Sequence, residues 1–362
     1  ADESIYEYPM QQGGGNDGRP YSFGRPSSGG SKAAYPCKSY GQGRINPAYF
    51  YGVFDPNDMR RDVSITMTGS NGKGVEKLIP FVPNSKAEGG GLTLNKWDEN
   101  RQANPWVAAQ RKSGINGPYM RMSEVYLGYA EVCAALGDVV TGKQYLKTVR
   151  ERSFPQGLAN TDAFIASFGN DLVRAIIEER GFEYAGEGDR RWTLIRSGYL
   201  PEDIKRIKDM TKAMMDGLAT KGYYEFENGN IISAYIWTKL VDAKTIYGHR
   251  LTAQCPTDKV NDPVLYPGWR GQKDIWEEMG LNYGSSTPAT NLAIKGLFEI
   301  VSEEEAASLE SQGYAKVNWG IDLVDYRDEY DKYLFWDYDY VSAPIYLWPF
   351  TPNVMAAGGF TN

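Results

Sequence analysis

Between Tyr119 and Leu136, apolar side chains recur at Met122, Val125, Tyr126, Tyr129, Val132, Cys133 and Leu136. Spacings of three and four residues are the repeat of one face of an α-helix. Gly137 follows as a stop, because glycine enters the left-handed conformation that ends a helix without steric cost. A second helical stretch at about 141–152 turns Leu146 and Val149 inward. So short a connection predicts an antiparallel helical hairpin.

The pattern continues beyond it. A third helix starts near Asn170, a good N-cap, and runs through Leu172, Val173, Ile176 and Ile177 until Gly186 and Gly188 break it. Leu200–Ala219 opens with Pro201-Glu202-Asp203; proline and acids suit a first helical turn. Ser302-Glu303-Glu304-Glu305 reads as a capping box before a short helix, Glu303–Ser311. Outside these stretches, residues 11–45 are rich in Gly, Ser, Pro and Tyr and read as loop. Val63–Thr68 alternates like a strand, Gly69-Ser70-Asn71-Gly72 is a hairpin-type turn, and Val75–Phe81 is its expected partner. The expected fold is mainly α. Tetratricopeptide-like helical hairpins form its scaffold, beside a loop-rich irregular subdomain with a few short strands. Within 1–362, this divides the chain into a loop-rich part at 1–117, the hairpin scaffold at 118–220 and a mixed, aromatic-rich part at 221–362.

Charge and composition exclude several functions. The net charge is −7 and no basic run occurs, so nothing supplies the phosphate-neutralising face of a nucleic-acid binder. An acidic surface suits neutral ligands better than polyanions. No stretch approaches the ~20 apolar residues of a membrane helix. The start, Ala1-Asp2-Glu3-Ser4, lacks the basic and apolar regions of an export signal; either there is no such signal, or the chain begins after one. Cys37, Cys133 and Cys255 allow one disulfide and an odd thiol. Cys133 lies within the apolar stripe and reads as a small buried hydrophobe. The 26 Tyr and 9 Trp stand against one histidine, His249. Such rings stack and hydrogen-bond at once, the combination that grips sugars, although core packing explains most rings in any domain.

Catalytic motifs are sparse. One histidine rules out HExxH, and GxSxG and the P-loop spacing are absent. Gly186-x-Gly188 follows a helix instead of a strand, unlike a dinucleotide loop. Glu179, Glu183 and Glu187, four apart, would stack on one helix face if the helix continued, with Arg180, Arg190, Arg191 and Arg196 near them. They read as a structural ion-pair network, with a glycosidase-type carboxylate pair as the alternative. Asp337-Tyr338-Asp339 is acidic but lacks the EF-hand pattern. No cofactor or metal is implied.

Three segments together resemble the SusD/RagB family of Bacteroidetes nutrient-binding lipoproteins. Ala175 to Gly198, with Glu179-Arg180, Glu183, Glu187-Gly188, Arg190 and Arg196-Ser197-Gly198, is similar to the family run ERxxELxxEGxRxxDLxRxG, with Thr193 where the family usually has Asp and Tyr184 where it often has Leu. Arg121 to Glu131 resembles RxxEvyLmyAEA, and Tyr346-Leu347-Trp348-Pro349-Phe350 resembles the closing lWPIP. Asp55–Asp62 is similar to the DPRr segment. Glu3-Ser4-Ile5-Tyr6-Glu7 resembles ESIFE, a landmark that lies well inside family members. The resemblance therefore implies a missing preceding helical part, signal peptide and lipidated cysteine. It also implies outer-membrane tethering at the cell surface, partnership with a SusC-like TonB-dependent transporter, and capture of an oligosaccharide or polysaccharide without catalysis. A glycoside hydrolase on a helical scaffold and peptide capture remain the alternatives.

Family motifs do not fix the binding loops, so the site is read from residue chemistry. Trp97 and Trp106 bracket a polar, proline-ended stretch with Arg101 and Asn104. With Tyr40, Tyr49, Tyr51 and Asn95 they are the expected ligand-binding residues, and Trp269 and Trp276 are second choices.

Overall fold

The computed structural model describes residues 3–14, 45–70, 76–79, 81, 91–97, 114–154, 157–242 and 290–327. Its helices are α1 (Met59–Ser64), α2 (Met122–Ala135), α3 (Val139–Glu151), α4 (Thr161–Ala166), α5 (Leu172–Glu183), α6 (Asp189–Ser197), α7 (Leu200–Lys221), α8 (Glu303–Ser311) and α9 (Gly320–Asp325). The strands are β1 (Ser4–Tyr8), β2 (Ile65–Thr66), β3 (Thr68–Ser70), β4 (Glu76–Leu78), β5 (Thr93–Leu94), β6 (Gly117–Arg121), β7 (Tyr223–Glu225), β8 (Ile231–Ser233), β9 (Tyr235–Asp242), β10 (Thr290–Lys295) and β11 (Ala315–Asn318). Tyr49–Val53 forms one π-helical turn. The fold is mainly α, built on helical hairpins with short strands between them.

The hairpin α2–α3 forms as its sequence predicts. Gly137 takes φ +87°, and Asp138 caps α3 by accepting from the Thr141 backbone N–H. The face that α2 buries is different. Ser123, Leu127, Ala130 and Cys133 pack inward, whereas Met122, Val125, Tyr129, Val132 and Leu136 of the expected stripe are exposed, Leu136 at 82%. The helix is apolar on both sides, so periodicity alone cannot say which side meets the core. The buried side is the one with small residues, and Gly142 of α3 sits against it. A Cβ there would lie 3.0 Å from the Ala130 carbonyl oxygen and 3.1 Å from Leu172 Cδ2. Leu127, Ala130, Leu146, Val149, Ile165, Leu172, Ala175 and Ile176 form the resulting core between α2, α3, α4 and α5.

Helix starts follow local chemistry with one shift. Asp171, not Asn170, caps α5 by accepting from the Arg174 N–H; Asn170 instead takes the left-handed turn before it, at φ 65°. Ser302 Oγ accepts from the Glu305 N–H, as a capping box requires. The strand expectation splits. Thr68–Ser70 pairs with Glu76–Leu78, so Gly69 and Ser70 of the expected turn belong to the strand, and residues 71–75 lie outside the described residues. Ile65–Thr66, however, leaves the hairpin and pairs with Thr93–Leu94.

A second, larger core lies under α7. Phe50, Tyr51, Phe54, Phe182, Met214, Met215, Leu218, Phe226, Ile236, Phe298 and Trp319 meet there. It seats the three-stranded antiparallel sheet β10–β9–β11, whose inner face contributes Ile236, Leu292 and Ile294.

Candidate functional site

Helix α5 is buried along nearly its whole length, yet it carries Glu178, Glu179, Arg180 and Glu183. A buried carboxylate without a partner is costly, and each of these has one. Glu179 receives Arg60 Nη1 at 2.7 Å and Arg150 Nη1 at 2.9 Å. Glu183 receives Arg121 Nη1 at 2.7 Å, Arg152 Nη2 at 2.5 Å and Arg60 Nη1 at 3.1 Å. Glu178 is held by Arg190 and Arg206, which also share Asp203.

The helix does not continue to Glu187. It ends at Glu183, and the turn beyond needs Gly186 at φ +80° and Gly188 at φ +92°. That turn returns Glu187 onto Arg121 Nη2 at 2.7 Å and onto Lys96. The stack of three glutamates on one face is therefore corrected to two on α5 and one on the following turn. Their cations are corrected as well. Arg60, Arg121, Arg150 and Arg152 converge from distant segments, whereas Arg180 faces Glu124 and Asp189 and Arg196 faces Glu131. Thr193, in the position where the family usually has Asp, accepts from Arg180 Nε and donates to Asp189. The neutral hydroxyl thus keeps the hydrogen bonds and leaves the charge to Asp189.

The Glu183 carboxyl is not poised as a general acid. Burial alone would raise the Glu183 carboxyl, but Arg60, Arg121, Arg152 and Lys96 overcome it and hold the group at about 2. A glycosidic general acid needs the opposite shift. Among the described residues, no group of three or more His, Cys, Asp or Glu side chains is arranged to hold a metal ion.

The expected ligand-binding residues fall into two sets. Four are described, and they sit in or against the protein interior. Tyr51 is fully buried, stacks on Phe226 and accepts a hydrogen bond from Trp319 Nε1 at 2.9 Å. Tyr49 is half-buried and donates to the Gly181 carbonyl. Asn95 is fully buried, and Trp97 nearly so. As placed, Tyr51, Asn95 and Trp97 have no free face for a ligand; they are framework residues, for the ordinary reason that large rings fill cores. Tyr40, Arg101, Asn104, Trp106, Trp269 and Trp276 lie outside the described residues, as do His249, Cys37, Cys255, Asp337–Asp339 and the Tyr346–Phe350 segment.

Sequence reasoning passed over the outer face of β9. There Tyr235 is exposed and Trp237 is covered. The Lys316 Nζ lies 4.2 Å from the Tyr235 ring centre and 5.8 Å from that of Trp237. The alternation Tyr235-x-Trp237-x-Lys239 was the available signal, since alternate strand residues share a face.

The chain resembles known proteins at low identity. It is 28% identical to SusD-like protein P25 of Formosa agariphila over 160 residues, covering 44% of this chain and 26% of that protein. Surface glycan-binding protein A from Bacteroides thetaiotaomicron shares 20% identity, covering 55% of this chain and 43% of that one at a TM-score of 0.38. A laminarin-binding SusD-like protein shares 20%, covering 57% and 44% at a TM-score of 0.34. The matches thus span about a quarter of the curated relative and less than half of these solved chains. The model of the SusD family, in contrast, matches residues 1–349, and on that extent the chain belongs to the SusD family.

Proposed function

We propose that this protein binds an oligosaccharide or polysaccharide at the cell surface, without catalysis, and delivers it to a SusC-like TonB-dependent outer-membrane transporter. The observation that carries the reading is the SusD-family match over residues 1–349. The character of the charged hub supports the absence of catalysis, because Glu179 and Glu183 are buried and paired with arginines. Attachment to the outer membrane is by an N-terminal lipid in the intact precursor. Among the described residues, no helix is long and apolar enough to cross a membrane.

Ligand contacts in this reading come from Tyr40, Arg101, Asn104 and Trp106, with Trp269 and Trp276 behind them. Trp97 serves as the buried anchor that precedes Arg101 in sequence. A pyranose needs a flat apolar ring and a few hydrogen-bonding neighbours, which Trp106, Asn104 and Arg101 offer as residue types.

Affinity gel electrophoresis against a panel of plant, host and microbial polysaccharides, laminarin included, tests the reading. Retardation by a polymer without release of reducing ends is the expected result, and Trp106→Ala weakens it. Release of reducing ends would replace capture with hydrolysis. Displacement of the polymer by peptides would point to peptide capture. Co-purification of the intact precursor with its transporter tests delivery; its failure would remove that step alone.

A further inference from the structure

We propose that the outer face of the β10–β9–β11 sheet is a contact surface for an acidic glycan, one bearing uronate carboxylates or sulfate esters. The inference rests on the glycan-capture reading and names the charge class of its ligand.

The sheet register sets out the face. Trp237 on β9 stands directly opposite Lys295 on β10 and directly opposite Lys316 on β11. Neighbouring strands lie ~4.8 Å apart, so the two lysines flank the indole at a span of about 10 Å. One pleat away, Tyr235 stands opposite Asn318, and on the other side Lys239 continues the same face. Tyr235, Lys316 and Asn318 are exposed, and Lys239 and Lys295 are half-exposed. The opposite face holds Ile236, Leu292 and Ile294 against the core, so these side chains cannot turn inward.

Three features of this face point to an anion. Among the described residues, no carboxylate lies within ion-pair reach of Lys239, Lys295 or Lys316, whereas Arg60, Arg121, Arg150 and Arg180 each have one. The Lys316 ammonium rests against the Tyr235 and Trp237 rings, a contact that holds a cation in place without neutralising it. The Trp237 Nε1–H is buried on the same face without an acceptor, and unmet buried donors are rare in folded proteins. A net charge of −7 would repel a polyanion over most of the surface, so a local cluster of unneutralised lysines directs one to this sheet. Rings beside fixed positive charge suit a sugar that carries acid groups, since the Tyr235 face stacks and the lysines pair.

The test is affinity electrophoresis of the chain in gels containing polygalacturonate, a sulfated carrageenan, neutral laminarin or neutral galactomannan. Duplex DNA serves as a polyanion that is not a glycan. The expected result is stronger retardation by an acidic polysaccharide than by the neutral ones, weakened by salt. Lys295→Gln/Lys316→Gln raises the dissociation constant about tenfold, and Tyr235→Ala weakens binding on its own. Circular dichroism melting of each variant shows that the fold is intact. Retardation by neutral polymers only, or an unchanged double variant, overturns the acidic-glycan assignment and leaves glycan capture standing. Equal retardation by DNA reduces the face to a general polyanion surface and overturns it too. Retardation by no polysaccharide removes both readings.

Discussion

Glu179 shows what burial demands of a carboxylate. It is fully buried, and it survives there because Arg60 and Arg150 each give it a hydrogen-bonded positive charge. Glu179→Gln keeps the shape and removes the charge; Arg60 retains Asp58 and Glu183, whereas the buried Arg150 is left with Asp55 at 3.9 Å. Breaking a buried pair from one side costs about 3–5 kcal/mol. Urea denaturation should therefore show a lower midpoint for the variant, and an unchanged midpoint would mean that water reaches the pair. The acids were legible as a network because three like charges at helical spacing demand neutralisation. Their partners were not, since Arg60, Arg121, Arg150 and Arg152 come from elements far apart in the chain. Tyr51 and Trp97, expected at a ligand surface, lie buried for a related reason. A sequence specifies ring chemistry, and only packing decides whether the ring meets solvent or Phe226.

At the scale of elements, the contact between α2 and α3 is set by the smallest residue in it. Gly142 faces the Ala130 carbonyl and Leu172 so closely that a Cβ would press on both. Gly142→Leu forces the two helices apart or off their rotamers and should cost about 1–3 kcal/mol, the usual penalty of overpacking. A lower melting temperature by circular dichroism with helicity retained is the expected readout; an unchanged melting temperature would show that the hairpin is free to spread. The long helices α2, α3, α5 and α7 were visible in sequence because a period of 3.6 repeats several times along each. Helix α4, at six residues, and strands of two or three residues are too short to display a period. Pairing of β2 with β5 is set by tertiary packing, which a local hairpin turn cannot announce. The exposed apolar stripe of α2 illustrates the same limit, since amphipathicity gives two candidate faces and the glycine on α3 selects one.

The hub gathers the whole molecule, because Glu183 and Glu187 bind segments that share no local structure. Through Arg121 they hold β6, and Arg121 also takes Glu3 beside β1. Arg60 brings α1, Arg152 brings the end of α3, and Lys96 brings the segment after β5. Loss of the Glu183 charge should therefore loosen all of these together. Its carboxyl is depressed from an ordinary 4.5 to about 2. A group whose pKa falls on folding contributes stability above its unfolded value and loses it as pH drops through the folded one. The contribution, on the order of 3 kcal/mol at 1.36 kcal/mol per unit, is thus complete above about pH 5 and removed between there and about pH 2. Glu3 and Asp203 are also lowered, each by its arginine neighbours against the opposing effect of burial, so their contributions have the same sign. Hydrogen exchange at pH 7 and pH 3 should show protection falling together at residues 4–8, 117–121 and 149–152 while the centre of α7 retains its own. Glu183→Gln at pH 7 should reproduce that pattern and flatten the acid dependence. Independent loss of the three segments, or an acid profile unchanged in the variant, would mean that the core between α2, α3 and α5 joins them without the hub.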